Sequence, residues 1–452
     1  MTATPRDAEP AREPATLRRT LGFTDLVMLT LGAVIGSGIY LVPGVVLRQT
    51  GGHVGLAMTV WVVAGVLSLL GALTYAELGA MHPEAGGLYA YIRDAFGPLP
   101  AFLYGWASFI VIASGSLAAL AVAFSGYLGQ IIPLGATGAR VVSVLVVAVI
   151  TVVNIAGTRK SATLQNWTTG AKVGVLFVMS VAMVALGTGW RGAAPAPLAP
   201  LTMAVLPSVG AAMIGVLWAY EGWQYVTFSA GETRDPQRVF PRAIAAATFA
   251  LVVLYLVANL GYIAALGPAA ASSSDHVAAD AMRAVFGPLS GSVLSALVLV
   301  SIFSAANGLM LTAPRMYFTM ARDGVFFERL GRVHPTYGTP AFAIVAMAVW
   351  SAILAASGTF EQLLTYVVFA GWIFYGLGGL AVFVYRRRQP NARRPFRVPG
   401  YPVTPVLFVL SAAMVVVSTL MAQPTRGAIG IGAVLLGTPV FYLWRARARR
   451  GV

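Results

Sequence analysis

The chain contains 452 residues, of which 58% are hydrophobic and only 10% are charged. Soluble globular proteins carry about 25% charged residues, so this composition excludes intrinsic disorder and argues against a water-soluble enzyme. The net charge of +15 would point to a nucleic-acid partner in a soluble protein, but the positions of the basic residues exclude that partner here.

The N-terminal segment and the apolar segments after it predict a membrane protein. Residues 1–20 are polar and Pro-rich, without a signal-peptide pattern, and predict a disordered cytoplasmic tail. Twelve apolar stretches follow, each near the roughly 20 residues that a helix needs to span a bilayer. They cover 23–47, 54–80, 98–128, 138–157, 164–187, 207–231, 241–266, 287–320, 340–357, 361–385, 402–422 and 427–444. The predicted fold class is therefore an all-α integral membrane protein with twelve transmembrane helices.

The basic residues set the predicted topology. With the N-terminus in the cytoplasm, 24 of the 30 Lys and Arg residues fall on the inner side, and Lys172 lies within a span. Five fall outside: Arg48, Arg140, Arg191, Arg283 and Arg426. This positive-inside distribution predicts that both termini are cytoplasmic. The positive charge thus orients the chain in the membrane and attracts anionic lipid, and it does not indicate nucleic-acid binding.

Metal and thiol chemistry is not indicated. The sequence has no cysteine, which excludes disulfides, a disulfide-linked partner subunit and cysteine zinc sites. The four His residues fall in predicted loops, so no metal or other cofactor is expected. No nucleophile motif and no pair of membrane carboxylates favours a membrane-embedded enzyme.

Two predicted spans are interrupted near their centres. The first contains Gly36-Ser37-Gly38 within LGAVIGSGIYLVPG, and the sixth contains the segment 219–223 within GVLWAYEGWQYVTF. Small residues also serve ordinary helix packing in membranes. Unwound backbone at membrane depth persists only beside a cavity, however, and breaks five spans apart fall in the first helix of each half of an inverted repeat. This pattern predicts a transporter binding site.

Five stretches carry a resemblance to a known family. They are IGSGIYLVPG at 35–44, TYAELGAMHPEAGGLYAYIRDAFG at 74–97, LWAYEGWQYVTFSAGETRDPQRVFPRAI at 217–244, PRMYFTMARDGVFFERLGRVHPTYGTP at 314–340 and RRPFRVPGYPVTPVLFVL at 393–410. The chain resembles the amino acid–polyamine–organocation superfamily and, within it, the L-type amino acid transporters and their prokaryotic relatives. The resemblance implies a LeuT-like fold.

In that fold, residues 21–385 form a ten-helix core of two inverted repeats, at about 21–187 and 207–385. Two further helices occupy 386–446, and a short cytoplasmic C-terminus occupies 447–452. Two departures from the family matter. Animal L-type proteins tether a partner subunit through a cysteine that this chain lacks, and Glu221 stands where many members have a second glycine.

An amino-acid substrate needs partners for both its carboxylate and its ammonium. The carboxylate is assigned to amides freed at the start of the outer half-helix, which form the positive end of a helix dipole: Ser37, Gly38 and Ile39. The ammonium is assigned to carbonyls at the end of the inner half-helix and beside the second break: Val34, Ile35, Gly36, Trp218 and Ala219. Family likeness gives these groups the same roles, and Gly222 completes the second break.

Other candidates each have a structural alternative. The resemblance implies that Trp218 closes over bound substrate, although a lipid-facing or core position would also suit it. Trp372, Ser114 and Ser116 could line the pocket or serve ordinary packing. Glu77 reads as a structural or gating pair, and Glu232 and Arg315 as an inner gate or as solvated interface charges.

Lys172 lies about 12 Å into the fifth span, at 1.5 Å per residue. A lysine at this depth is costly and usually functional, although a snorkelling side chain is the alternative. Sodium-coupled LeuT-like proteins hold a cation near this level, and the resemblance suggests that the Lys172 ammonium replaces it. We therefore expect transport without sodium.

Glu221 falls near the middle of the sixth span, where a carboxylate needs a partner or a function. It could pair with Lys172, carry a proton, or recognise a second ammonium or polar tip on the substrate. The last role is favoured, because acidic relatives at this position accept dibasic substrates.

The sequence thus predicts a bacterial inner-membrane transporter that exchanges neutral L-amino acids by alternating access. A proton-coupled permease is the main alternative, and a membrane-embedded enzyme or a channel is less well supported. Acceptance of cationic substrates, the identity of the amino acid, and the choice between monomer and homodimer stay open.

Overall fold

A computed structural model describes residues 17–83, 86–129, 131–189, 206–357, 360–422 and 424–449. Most of the predicted N-terminal tail, Arg191 and the last three residues lie outside the described residues. Within them the secondary structure is helical, apart from an isolated parallel bridge between Leu21 and Thr233.

The first half of the described chain contains eight α-helices: α1 (Phe23–Val34), α2 (Gly38–Gln49), α3 (Val54–Met81), α4 (Leu88–Phe96), α5 (Pro98–Ala107), α6 (Ala113–Gly129), α7 (Ala136–Ile155) and α8 (Thr158–Leu186). A π-helical turn, Ser108–Ile112, joins α5 to α6.

The second half contains eleven more: α9 (Leu206–Ala219), α10 (Pro236–Leu266), α11 (Pro268–Ser273), α12 (Val277–Phe286), α13 (Ser290–Thr312), α14 (Pro314–Arg322), α15 (Ala341–Ser357), α16 (Phe360–Arg388), α17 (Val403–Ala422), α18 (Pro424–Leu435) and α19 (Gly437–Arg449). Two 3₁₀ segments accompany them, at Trp223–Glu232 and Glu328–Gly331.

These helices make the chain a multi-pass membrane protein. In the described ranges, nine continuous helical segments are long and apolar enough to cross a bilayer, and α1 with α2 forms a tenth. α15 is apolar but shorter. Their apolar residues do not segregate to one side, because lipid and neighbouring helices are both apolar surroundings.

The first span is broken where the Gly-Ser-Gly sequence lies. α1 ends at Val34, α2 begins at Gly38, and the two axes differ by 47°. Gly36 and Gly38, on either side of Ser37, both destabilise an α-helix. The break therefore separates a carbonyl end, which belongs to α1, from an amide end, which belongs to α2.

The sixth predicted span is also broken, but its second half differs from a simple α-helix. α9 ends at Ala219, and a turn leads to Gly222 at φ +123°, a conformation that favours glycine. The next ten residues, Trp223–Glu232, form 3₁₀ structure. Runs beyond three or four residues are uncommon for this helix and often mark a hinge.

The two breaks lie against each other. A Cβ added at Gly222 would lie 3.0 Å from the Ala33 carbonyl oxygen, and one added at Gly38 would lie 3.0 Å from Cα of Ala219. α1 also packs against α8, α10 and α13, which surround the break. The close approach thus depends on glycine at both positions and brings the unwound backbone of both spans to one place.

Candidate functional site

A cavity of about 80 Å³ opens where the two breaks meet. A single water needs roughly 10–15 Å³ by the same measure, so a small polar molecule fits. Its lining comes from six α-helices, one 3₁₀ segment and both breaks: Ala33, Val34, Gly36, Ser37, Gly38, Ser116, Ala119, Leu120, Trp218, Ala219, Glu221, Tyr225, Ala305, Leu309 and Val367. Most of these residues are small or apolar, so the few polar groups fix which ligand is accepted.

The amide end of α2 faces this cavity. Gly38 is the first residue of α2 and Ser37 is its N-cap. Amides in the first turn of a helix have no intrahelical acceptor and carry the positive end of the dipole. The Ser37 hydroxyl oxygen is buried and finds no hydrogen-bond partner among the described residues. Together these groups form a donor set suited to a carboxylate.

The carbonyl end of α1 lies on the other side of the break. The Val34 carbonyl accepts hydrogen bonds from the Gly36 amide at 2.8 Å and from the Tyr255 hydroxyl at 3.3 Å. Val34 and Gly36 line the cavity, whereas Ile35 does not. The end of α1 thus presents the negative end of a dipole, which suits an ammonium group.

Lys172 binds the carbonyl end of α1 and is not among the residues that line the cavity. Its Nζ donates to the carbonyl oxygens of Gly32 at 2.8 Å, Ile35 at 2.6 Å and Ser301 at 3.2 Å. The Ser301 hydroxyl also donates to the Ile35 oxygen, at 2.8 Å. All three donors of the ammonium are used, and the side chain is 1% exposed. Lys172 therefore bridges α1 and α13 from α8 and does not snorkel.

Glu221 contributes the acidic group of the cavity. Its Oε1 accepts a hydrogen bond of 2.9 Å from the Tyr375 hydroxyl on α16. Its Oε2 is buried without a hydrogen-bond partner in the described structure. Lys172 uses its donors on backbone carbonyls, so the geometry does not pair it with Glu221. One carboxylate oxygen is thus left facing the ligand space.

The structure brings together part of the predicted site. Gly36, Ser37, Gly38, Trp218, Ala219, Glu221 and Ser116 all line the cavity. Four predicted residues, Ile35, Ile39, Gly222 and Ser114, are not among its lining residues. Trp372 is also absent from the lining and packs against Tyr375 and Phe408, at ring-centroid distances of 6.0 and 6.3 Å.

Several contributing residues were missed by the sequence analysis. Small and apolar wall residues, such as Ala119, Ala305 and Val367, carry no chemical signal. Tyr375 lies three residues after Trp372, so the two aromatic rings are neighbours on α16 and pack together at a centroid distance of 6.0 Å. The sequence does not indicate which of the two side chains reaches Glu221. Tyr255 could have been noticed only as a polar group in an apolar span.

Buried ion pairs lie away from the cavity, near the ends of the spans. Nε of Arg315 donates to Glu232 Oε2 at 2.6 Å, and both side chains are at most 1% exposed. Thr158 donates to Glu232 Oε1 at 2.7 Å. Arg386 pairs with Glu77 through two bonds, of 3.0 and 2.7 Å. The sequence-predicted candidates for an inner gate therefore lie in direct contact.

A third polar cluster involves α4. Arg93 and Tyr89 both donate to Asp323 Oδ2, at 2.7 and 2.9 Å. Burial and the adjacent Asp323 carboxylate raise the pKa of Tyr89 above its ordinary value. The phenol therefore keeps its proton over the physiological range and holds α4 to the end of α14 as a donor.

Groups that could hold a metal are not found in the described ranges: they contain no cluster of three or more His, Asp or Glu side chains with suitable spacing. The polar groups of the cavity are instead helix-end amides, helix-end carbonyls, three hydroxyls (Ser37, Ser116 and Tyr225) and one carboxylate. This arrangement can bind a small zwitterion.

Comparison with known proteins gives matches along nearly the whole chain. A family model described as amino acid permease matches residues 21–440. The serine/threonine exchanger SteT of Bacillus subtilis (strain 168) is 30% identical over 434 residues, which cover 95% of this chain and 98% of that protein. Asc-type amino acid transporter 1 of Mus musculus is 32% identical over 451 residues, covering 97% and 84%. The b(0,+)-type amino acid transporter 1 of Rattus norvegicus is 31% identical over 445 residues, covering 95% and 89%.

Proposed function

The chain belongs to the amino acid permease family, and from this premise we propose that it exchanges amino acids across the membrane by alternating access. The family and its relatives are transporters rather than enzymes. One relative is named as a serine/threonine exchanger and another as a b(0,+)-type amino acid transporter. This chain covers 98% and 89% of their lengths. In the proposed cycle, the two broken spans close over substrate and their inner halves then swing away.

One observation carries the proposal: the amide end of α2 and the carbonyl end of α1 face the same small cavity. An α-amino acid carries an anionic and a cationic group on neighbouring atoms, which matches this pair of helix ends. The carboxylate is bound by the amides of Ser37, Gly38 and Ile39. The ammonium is bound by carbonyls at Val34 and Gly36 and beside Ala219, and Trp218 covers the ligand.

Sodium independence is supported by the position of Lys172. Its ammonium uses all three donors on backbone oxygens of α1 and α13. A fixed ammonium there supplies the positive charge that a bound cation would otherwise bring between these helices. In the proposed exchange, the driving force comes from a second amino acid carried in the opposite direction.

The substrate class proposed is neutral L-amino acids, together with cationic ones that reach Glu221. The unpartnered Glu221 oxygen supports this extension, since a second ammonium would satisfy it. The same oxygen supports the runner-up function, a proton-coupled permease, because a buried carboxylate can also bind a proton. In the first function a substrate ammonium neutralises the buried Glu221 carboxylate, and in the runner-up a proton does.

The proposed architecture is the twelve-helix LeuT-like arrangement, with inverted repeats at about 21–187 and 207–385 and two additional helices at 386–446. The proposed location is the bacterial inner membrane, with both termini in the cytoplasm. The broken first and sixth spans support the repeat.

The decisive experiment uses proteoliposomes that contain the purified chain. A thermal-shift screen against the twenty amino acids and common diamines first identifies a ligand, because binding raises apparent stability. Uptake of that ligand should then be strongly accelerated by preloading the vesicles with the same or a similar amino acid. Uptake that needs a pH gradient and no preloaded substrate would favour the proton-coupled permease, and transport of no amino acid would contradict both.

A further inference from the structure

Six arginines fall within twelve residues at the end of α16: Arg386, Arg387, Arg388, Arg393, Arg394 and Arg397. The structure divides them into two groups of three. Arg386 binds Glu77, Arg388 donates to the Ala95 carbonyl at 2.8 Å, and Arg394 donates to carbonyls of its own loop. The side chains of these three arginines form hydrogen bonds within the protein.

The other three arginines point to a different use. Arg387, Arg393 and Arg397 are exposed, and no ion pair or hydrogen bond joins their side chains to any described residue. Exposed arginines on a surface normally alternate with acidic residues. The segment 386–402 contains no Asp or Glu at all. Three uncompensated guanidinium groups are thus presented by the last turn of α16 and the loop that follows it.

This loop is fixed to the helices rather than loose. Glu77 Oε2 accepts the Val398 amide at 2.7 Å, and Arg394 Nε lies 3.5 Å from Glu77 Oε1. The Arg386 guanidinium lies 3.8 Å over the Tyr401 ring. Glu77 is 1% exposed, so it anchors the loop from the interior of the bundle. The free arginines therefore have a defined place at the membrane surface, which lowers the entropy cost of binding a ligand there.

An apolar strip continues from the loop into the membrane. α16 and α17 pack against each other on either side of it. Exposed aliphatic side chains lie further along these helices, at Leu380 on α16 and at Val403, Val406, Leu407 and Leu410 on α17. In a bilayer this strip faces acyl chains, and the arginines lie at the level of the headgroups. The combination matches one kind of molecule, with an anionic head and a long apolar body.

We propose that Arg387, Arg393 and Arg397 form a binding site for the headgroup of an anionic phospholipid whose acyl chains lie along the α16–α17 strip. Arginine forms bidentate hydrogen bonds with phosphate oxygens, and the lipid phosphate supplies the missing negative charge. With the loop facing the cytoplasm, as proposed above, this lipid belongs to the inner leaflet. Because Glu77 connects the loop to α3, the bound lipid also stabilises the packing of α3 with α16 and α17.

The test compares lipid retention by the purified full chain in native mass spectrometry, with phosphatidylglycerol and phosphatidylethanolamine at equal concentrations. The wild type should retain phosphatidylglycerol preferentially. The variant R387Q/R393Q/R397Q should lose at least fivefold of that preference. A matched control, R234Q/R238Q/R329Q, removes three exposed arginines from elsewhere on the surface, and the preference should remain.

Several outcomes would overturn the proposal. Equal loss in both triple variants would mean that overall charge, and not this loop, attracts the lipid. No preference in the wild type would remove the site, and full competition by soluble glycerol phosphate would replace the lipid with a free phosphate ligand. The measurement needs no transported substrate, so a failure of the proposed transport function would leave its result unchanged. Thermal unfolding of each variant shows that the comparison is made on folded protein.

Discussion

The ammonium nitrogen of Lys172 lies 2.6 Å from the carbonyl oxygen of Ile35, at the point where α1 ends. The same nitrogen reaches Ser301 on α13. A side chain from α8 thus holds the unwound end of α1 against α13. In the proposed cycle the inner half of the first span moves, and the Lys172 ammonium is the charged group that contacts its end.

The role of Lys172 gives the first prediction. Replacing Na⁺ by choline should leave wild-type transport unchanged. Lys172→Ala removes the charged donor shared by three carbonyl oxygens, of which the Ile35 oxygen keeps the Ser301 hydroxyl as a donor. Hydrogen bonds to charged groups are worth about 1.5–3 kcal/mol each. We expect at least tenfold slower exchange, or altered affinity on one side of the membrane, measured in proteoliposomes. Lys160→Ala, at an exposed position, serves as the control; a sodium requirement in the wild type would refute the idea.

The second prediction concerns Glu221. Glu221→Gln keeps the shape of the side chain and removes its charge. Binding of lysine- or ornithine-like substrates should fall at least tenfold, while alanine and leucine bind as before, because only the former place a second ammonium beside the carboxylate. Competition assays on the purified variant measure this. Equal losses for every substrate, with lost pH dependence, would favour the proton-coupled permease, and a wild type that binds no cationic amino acid would exclude the preferred role.

Trp218 gives the third prediction. Its ring lines the cavity beside Gly38, and burying an aromatic side chain against a ligand contributes about 1–3 kcal/mol. Trp218→Ala should therefore weaken substrate binding roughly tenfold, as measured by isothermal titration calorimetry. Trp372→Ala removes a buried tryptophan from outside the lining and should lower thermal stability with a smaller effect on affinity. Equal affinities in the wild type and Trp218→Ala would assign Trp218 to packing alone.

The fourth prediction uses two glycines on either side of Ser37. A Cβ at Gly38 would lie 3.0 Å from both Cα and Cβ of Ala219 and 3.2 Å from a Trp218 ring carbon. At Gly36 the nearest atoms lie at 3.9 Å. Gly38→Ala should therefore force the two breaks apart, at a cost of about 1–3 kcal/mol, and reduce transport far more than Gly36→Ala. Similar transport rates for Gly38→Ala and Gly36→Ala would show that transport does not need close contact between the two breaks.

The buried pair of Glu232 and Arg315 gives the last prediction. Glu232→Gln leaves the Arg315 guanidinium buried without its counter-charge, which typically costs about 3–5 kcal/mol. Unfolding in detergent, followed by circular dichroism, should show this loss of stability. The exposed pair of Glu328 and Arg332 provides the control, since Glu328→Gln should change stability by less than about 1 kcal/mol. If both variants unfold alike, the buried contact does not hold the inner ends together.

The sequence alone determined the features that depend on local chemistry. Helical spans follow from runs of apolar residues, and the break at 35–37 follows from Gly-Ser-Gly, because glycine destabilises a helix wherever it stands. The position of Lys172 within an apolar run predicted a functional or partnered side chain, and its ammonium contacts three carbonyl oxygens. The family resemblance carried by the five sequence stretches also agreed with the family match over residues 21–440.

The tertiary structure decided which groups meet. Lys172 contacts residues 129 and 137 positions away, and Tyr375 reaches Glu221 over 154 positions. In a soluble helix, an apolar stripe tells which face turns inward, but a membrane helix is apolar on both its lipid and its protein faces. Rotation about the helix axis is therefore not encoded in the hydrophobic pattern. Only packing decided that Tyr375 rather than Trp372 reaches the acidic group, and that three of six neighbouring arginines stay free.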